Sequence, residues 1–271
     1  MAYLYTKIMA YRKNSFPNVL SPMITKTFGL RAMKDGQSLP GEANRVLSAH
    51  GSLIAIPIGD SGKYVLIDAG MDKKARKLER FMANRGLGID AVKFVLLTHA
   101  HSDHVRGLHA LSDDVVVFAS KAASKVLDGT MRSDGPLPGM IDRIPRYMSA
   151  AVPRVRPEIL VDDQVVSLGN LTIRAIESSG HADGHFMYLV SSDPNEPSTL
   201  YSGDALDFSR RGDVVNAPRL FSGDTEMSRQ SIIDATKRIA DSGTIIDTVV
   251  PAHSGNGDFQ ALLAFKKEQQ E

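Results

Sequence analysis

The stretch Thr98-His99-Ala100-His101-Ser102-Asp103-His104 places three histidines and one aspartate within six consecutive positions. It directly follows residues 92–97, a continuous apolar run that is too short for a helix and that predicts a buried strand. The polar side chains therefore emerge at the C-terminal end of a strand. Sheets in α/β proteins tend to place their functional sites at that end.

The spacing within this stretch suits metal binding. His99 and His101 lie two positions apart, and in an extended chain such residues project to the same side, so their imidazoles can bind one ion. Asp103 and His104 follow as the chain turns into a helix, where the geometry changes and a second ion can be reached. Asp103 also suits a helix N-terminus electrostatically.

Further candidate ligands follow other predicted strands. His181 and His185 lie in a glycine-containing loop between two strands, Asp204 follows a strand over 199–202, and His253 ends the last strand. Singly, each has a plainer interpretation, as a hydrogen-bonded core histidine, a turn residue or a neighbour of a helix cap. Together with the first cluster, they supply five histidines and two aspartates, which is enough for two metal ions.

The composition narrows the classes of function. The chain has 271 residues and no cysteine, which excludes a disulfide framework, a thiolate-ligated metal and a cysteine nucleophile. Any metal here must use nitrogen and oxygen ligands. The formal net charge of +1 provides no electrostatic footprint for nucleic acid or an anionic membrane, and a signal peptide is not expected. We therefore expect a cytoplasmic protein that acts on a small molecule.

The order of predicted elements favours two similar β/α halves packed sheet against sheet, with helices outside. A hairpin is predicted over 52–58 and 63–67, and a helix over 73–84 with Asp72 as its N-cap. We predict an N-terminal arm or lid over 1–40 and one domain over 41–271. The methionine-containing segment 129–157, with one helix near 140–150, is interpreted as a lid, a pocket wall or a dimer contact.

These residues, in this order, resemble the metallo-β-lactamase superfamily over about residues 53–253. The H-x-H-x-D-H stretch with the later His, Asp and His is a specific signature, and Asp68-Ala69-Gly70 resembles the motif that ends the family's first strand. The resemblance implies an α/β (α+β) fold, a four-layer αββα sandwich. It implies one metal at His99, His101 and His181, and a second at Asp103, His104 and His253.

The resemblance also implies that Asp204 bridges both ions, with catalytic roles for Asp103 and Asp204. Asp68 and His185 match positions that orient the ligands, as metal-bound imidazoles commonly require. Arg106 stands where relatives often have glycine, so it either reaches toward substrate or lies on the helix surface. Asp207 stands where homoserine-lactone hydrolases typically have tyrosine, which weakens a lactonase assignment. With Asp207 and Arg106, the remaining candidates for substrate contact are Tyr147 and Phe208.

The expected function is a hydrolase that uses a hydroxide held between two divalent ions to attack a lactone, thioester or amide. Zinc suits the His/Asp sites best, with iron or manganese as alternatives. A mononuclear iron oxidoreductase resembling persulfide dioxygenases, a phosphodiesterase and a non-catalytic binding protein remain alternatives. Binding of nucleic acid or a membrane is not expected, and a homodimer is an open option.

Overall fold

The computed structural model describes residues 29–48, 51–136, 138, 155–193 and 195–268, which form two main sheets and the helices outside them. The first sheet runs in sequence order and is antiparallel up to its fourth strand and parallel beyond it. Its strands are β1 (Gln37–Ser38), β2 (Asn44–Ser48), β3 (Gly51–Pro57), β4 (Tyr64–Ile67), β5 (Val92–Leu96), β6 (Val116–Ala119) and β7 (Glu158–Ile159).

The second sheet holds the later strands of the chain. They are β8 (Val165–Leu168), β9 (Leu171–Glu177), β10 (Phe186–Ser191), β11 (Ser198–Gly203) and, after the small hairpin β12 (Leu206–Phe208) and β13 (Val214–Asn216), strand β14 (Ile246–Pro251). Their order is β14-β11-β10-β9-β8, and only the β11–β14 pair among them is parallel. That pair brings the C-terminal ends of β11 and β14 side by side.

The described helices are α1 (Arg76–Ala83), α2 (Ser102–Val105), α3 (Lys121–Leu127), α4 (Thr225–Asp241) and α5 (Phe259–Glu268). Three short 3-10 turns cover Pro40–Glu42, Ile89–Ala91 and Arg106–Ala110. Among the described ranges, none of the helices combines the length and the apolar character needed to cross a bilayer.

Alternating side chains divide the interior into layers. In β3, Leu53 and Ala55 face a cluster shared with α1 and α3, whereas Ile54 and Ile56 face the cluster between the two sheets. Successive residues of a strand point to opposite faces, so a strand that is apolar throughout serves two cores. A third cluster lies between the second sheet and helices α4 and α5. The result is the expected αββα sandwich of four layers.

The expected hairpin is confirmed as β3 and β4. The sequence pattern also predicts a short helix over 121–127, and α3 spans those residues. The helix predicted over 73–84 is shorter in the structure, where it spans Arg76–Ala83. The Asp72 carboxylate accepts hydrogen bonds from the backbone N–H groups of Lys74 and Arg76, so it closes the turn before the helix rather than capping it directly. The helix expected near 140–150 and residues 1–28 lie outside the described residues.

Candidate metal centre

Strand ends and the loops beside them carry the candidate ligands to one place. The segment after β5 holds His99 to His104, the β9–β10 loop holds His181, and β11 leads into Asp204. Because Gly203 pairs with Pro251 in the parallel β11–β14 ladder, Asp204 and His253 leave neighbouring strands at the same level. Both sheets therefore contribute to one polar cluster, as the sequence predicts.

The cluster contains three groups of three residues whose ligand atoms lie within 4.8 Å of one another. One of them, formed by His99, His104 and Asp204, shares a histidine with each of the other two, which we call the first and second triads. The first triad consists of His99, His101 and His181, all buried. The second triad consists of Asp103, His104 and His253. These are the two sets that the resemblance implies.

Asp204 lies between the two triads. Its Oδ2 atom is 3.4 Å from Nε2 of His181 in the first triad and 3.0 Å from Nε2 of His253 in the second. Its Oδ1 atom is 3.2 Å from Nε2 of His104. One carboxylate therefore faces both sets of nitrogen atoms.

Hydrogen bonds orient the histidines of the first segment. The Thr98 hydroxyl donates to Asp68 (Oδ2 at 2.9 Å), so its oxygen is free to accept the Nδ1–H of His99 at 3.0 Å. His104 donates its Nδ1–H to Oδ2 of Asp68 at 2.7 Å. In both rings Nε2 is then the nitrogen that faces the centre of the cluster.

Hydrogen bonds also orient His101 and His181. The carbonyl of Asp134 can only accept, so Nε2 of His101 donates to it at 3.0 Å and Nδ1 keeps its lone pair. Ser222 donates its hydroxyl to Pro218, which leaves its oxygen to accept Nδ1–H of His181 at 3.3 Å. The two nitrogen atoms that carry these lone pairs, Nδ1 of His101 and Nε2 of His181, lie 3.1 Å apart.

This arrangement fits a cation. Two nitrogen lone pairs that face each other at 3.1 Å repel unless a positive charge lies between them. In addition, Nε2 of His99 is buried without a hydrogen-bond partner. Buried polar atoms are normally satisfied, and a metal ion would satisfy this nitrogen. The donor set consists of nitrogen and oxygen atoms that divalent transition metals accept.

The protonation states agree with this interpretation for the first triad. Burial lowers the pKa values of His99 and His181 well below the usual value, and it also lowers the pKa of His101. These rings are therefore neutral near pH 7. Only a neutral imidazole has a lone pair to offer a metal.

The second triad carries protons in the metal-free protein. Burial opposes the charged form of His253, but the carboxylates of Asp204 and Asp103 outweigh it and raise its pKa to about 10. Asp204, Asp68 and Asp103 likewise raise the pKa of His104 well above the usual value against the effect of burial. A divalent cation at this position would take the place of these protons.

The predicted orienting residues contact the ligands directly. Besides His104, Asp68 accepts the backbone N–H of Thr98 at 2.8 Å, and it adopts a left-handed backbone conformation with φ of 60°. His185 donates from Nδ1 to Ser178 and accepts the backbone N–H of Asp204 on Nε2 at 3.2 Å. Burial lowers the pKa of His185 to about 3, which keeps this acceptor lone pair available.

The predicted substrate-contacting residues lie in different places. Arg106 is half-buried at the end of α2, and Asp207 is buried in β12. The ring of Phe208 is completely buried in the cluster between the second sheet and α4 and α5, so it is core rather than pocket wall. Position 147, the site of the tyrosine, lies outside the described residues.

The chain is similar to a known family over most of its length. A model of the metallo-beta-lactamase superfamily matches residues 51–253, three quarters of the chain. The chain belongs to this superfamily. A probable metallo-hydrolase, YybB of Bacillus subtilis, is 28% identical over 196 residues, which are 72% of this chain and 74% of that protein. A hydroxyacylglutathione hydrolase of Glaesserella parasuis is 28% identical over 195 residues, 71% of this chain and 61% of that protein.

A solved structure of a B3 metallo-beta-lactamase with an active-site glutamic acid superimposes with a TM-score of 0.59 at 19% identity. The superposition covers 94% of this chain and 97% of that chain. At this identity the likeness shows the superfamily fold and no particular substrate. It agrees with the four layers described above.

Sequence reasoning missed several partners of the ligands. Thr98 stands beside His99, and its position next to a predicted ligand is the signal that would have identified it. Asp134 and Ser222 lie 33 and 41 residues from the histidines they orient, so adjacency along the chain offers no clue to them. Asp134 belongs to the segment 129–157, which therefore touches the metal centre at its start.

Proposed function

We propose that this protein is a dinuclear metal-dependent hydrolase that cleaves an ester-like carbonyl in a small molecule, either a lactone, a thioester or an amide. The observation that carries the proposal is the pair of triads that meet at Asp204, with histidine lone pairs directed at the space between them. A single-ion enzyme has no need for a complete second triad.

The first ion would be held by His99, His101 and His181, and the second by Asp103, His104 and His253, with Asp204 between them. Divalent ions held here supply a water of lowered pKa and a Lewis acid for the substrate carbonyl. Zinc suits this ligand set best, and iron or manganese are the alternatives.

The chain's own carboxylates complete the chemistry. Asp103 is the more open of the two, with 22% of its side chain exposed against 10% for Asp204, so we assign it the proton transfer on the substrate side. Its Oδ2 atom lies 3.5 Å from Nε2 of His253, within reach of the same centre. Asp204 is more buried, and its carboxylate contacts histidines of both triads.

The named relatives support a hydrolase. One is a probable metallo-hydrolase and another is named for hydrolysis of hydroxyacylglutathione, although the match spans only 61% of that protein. The balanced net charge of the chain supports a small substrate rather than a nucleic acid or a membrane surface. A homodimer is compatible with this proposal and is not required by it.

The test is an activity screen of the zinc-reconstituted protein against lactones, thioesters, β-lactams and phosphodiesters. We expect turnover of one ester-like class, loss of activity on chelation and recovery on return of zinc. Asp204→Asn and His253→Ala should lose at least about a hundredfold in rate, while Arg85→Met on the exposed surface should not.

Other outcomes would contradict the proposal. Turnover of phosphodiesters alone would replace the substrate class. One bound iron per chain with consumption of oxygen would indicate an oxidoreductase. Failure to bind any metal would indicate a binding protein that has kept the fold.

A further inference from the structure

The guanidinium group of Arg45 in β2 is completely buried behind the loop that carries His253. Its Nη1 atom donates hydrogen bonds to the hydroxyl of Ser52 and to the carbonyl of Pro251, both at 2.8 Å. Its Nη2 atom donates to the side-chain oxygen of Asn256 at 2.7 Å. Arg45 thus holds the chain both before and after His253.

Ser52 extends this contact to the residue next to His253. Its hydroxyl donates to the carbonyl of Ala252 at 3.1 Å, while the N–H of Ala252 donates to the carbonyl of Gly203 at 3.0 Å. Both carbonyls that precede His253 are therefore bound by buried side-chain donors. The backbone that leads into the ligand has little freedom to move.

The segment at residues 31–33 also contacts this loop. The carbonyl of Arg31 accepts the N–H of Gly255 at 2.9 Å, and its guanidinium donates to the carbonyl of Asn256. Met33 places its sulfur 3.2 Å from Nη1 of Arg45. The loop that carries His253 is therefore contacted both by this segment and by Arg45.

A buried charge is a costly way to fill space, because a guanidinium loses its hydration on burial. Burial lowers the pKa of Arg45 to about 10, with the negative charge of Asp207 acting in the opposite direction, so the group stays protonated at neutral pH. An apolar side chain could pack here, but it could not donate hydrogen bonds to a hydroxyl, a backbone carbonyl and a side-chain amide oxygen together. Arginine is the side chain whose fork of donors meets this need.

We propose that Arg45, acting through Ser52, is a positioning residue that sets the second metal site by binding the backbone before His253 and the side chain of Asn256 after it. The inference rests on the proposed dinuclear function. It is selective, because the hydrogen bonds of Arg45 among the described residues reach residues 33, 52, 251 and 256. The first triad is oriented instead by Thr98, Asp134 and Ser222.

The test measures zinc bound per chain during titration of the full-length metal-free protein. The variants are Arg45→Met and Ser52→Ala. Ser52→Ala removes a single oxygen atom, so it should still fold and keeps the test usable if Arg45→Met does not fold. Arg45→Lys tests whether charge without the fork of donors is sufficient. Ser61→Ala in the β3–β4 turn and Arg85→Met on the surface are the matched controls.

We expect the controls to bind two ions like the wild type. In Ser52→Ala and Arg45→Met, the first ion should bind with unchanged affinity and the second about 10- to 100-fold more weakly, the range for residues that orient metal ligands. Arg45→Lys should resemble Arg45→Met, because a single ammonium cannot bridge the same acceptors.

Equal affinity for both ions in Ser52→Ala and the wild type would overturn the inference while the proposed function stands. A parallel loss of both ions would also overturn it, because that result indicates a general effect on folding. A wild-type protein that binds fewer than two ions would contradict the proposed function and this inference together.

Discussion

The Oδ2 atom of Asp68 lies 2.7 Å from Nδ1 of His104, and both side chains are buried. The two residues are 36 positions apart in the chain. Asp68 directly follows β4, and His104 lies in α2, which follows the neighbouring strand β5. This contact decides which nitrogen of His104 faces the metal centre. The orientation of the second triad therefore depends on the strand that precedes it.

Asp68→Asn should weaken the second metal site by about 10- to 100-fold, because it removes the charged acceptor that fixes the His104 ring. Asparagine tolerates the left-handed backbone found at this position, so the fold should persist. Calorimetric titration with zinc measures the two affinities separately. Asp72→Asn, at an exposed turn, is the control, and an unchanged second affinity in Asp68→Asn would refute the assigned role.

Gly51→Ala should also disturb the second site, for a steric reason. A Cβ atom at Gly51 would lie 2.9 Å from Cε1 of His253 and 3.2 Å from the carbonyl of Ala252. The imidazole must shift to make room, and we expect a loss of about tenfold or more in affinity for the second ion. Zinc release to a competing chelator measures it, and first-triad affinity should stay the same. Retention of both ions with normal affinity would show that the ring does not need its present position.

Positions 106 and 107 should respond differently to substitution. A Cβ at Gly107 would lie 1.9 Å from the carbonyl oxygen of Ala69, so Gly107→Ala should reduce the free energy of unfolding by at least about 2 kcal/mol. Position 106, where relatives often have glycine, already carries the side chain of an arginine in this protein. Arg106→Ala should retain metal content and the melting temperature within a few degrees. If Arg106 contacts substrate, KM rises in this variant.

The burial of Asp207 predicts a pH dependence of stability. Burial raises the pKa of Asp207 from its usual 3.8 to about 7, with the charge of Asp204 acting in the same direction. Between about pH 4 and 7, the Asp207 carboxyl keeps its proton in the folded protein and loses it in the unfolded protein. The contribution of Asp207 to the free energy of unfolding therefore falls as the pH rises through this range. This linkage amounts to at most about 4 kcal/mol.

Asp207→Asn removes the titrating group and should therefore show a flatter profile over that range. The measurement is urea unfolding of the metal-free protein from pH 4 to 8, with the wild type and the variant compared at each pH. Because the other titrating residues are common to both proteins, the difference isolates Asp207. Identical slopes in both proteins would contradict the raised pKa.

Much of the fold follows from the sequence because the strands are marked by apolar runs that end in glycine or polar residues. The pattern predicts a strand over 186–191 and a helix over 121–127, and β10 and α3 span those residues because their apolar positions and flanking residues agree. The candidate ligands follow from their places after predicted strands, and their division into two triads follows from the resemblance to the superfamily. The β12–β13 hairpin escapes such reasoning because each strand has three residues and includes polar ones.

The orientation of the ligands could not be predicted in the same way. It depends on Asp134, Ser222 and Arg45, whose contacts join segments that are distant in the chain. Phe208 is predicted to line the pocket because it lies close to Asp204 in the sequence. Its ring is instead buried in the cluster between the second sheet and helices α4 and α5. Adjacency along the chain predicts which residues approach the centre, whereas packing decides which of them face it.

The most direct test of the central claim is an anomalous difference map, at the zinc absorption edge, from crystals of the zinc-loaded protein. The dinuclear assignment predicts two peaks per chain, about 3.5–4 Å apart, on either side of the Asp204 carboxylate. One peak should lie among His99, His101 and His181, and the other among Asp103, His104 and His253. A single peak, or zinc bound only elsewhere, would contradict the account.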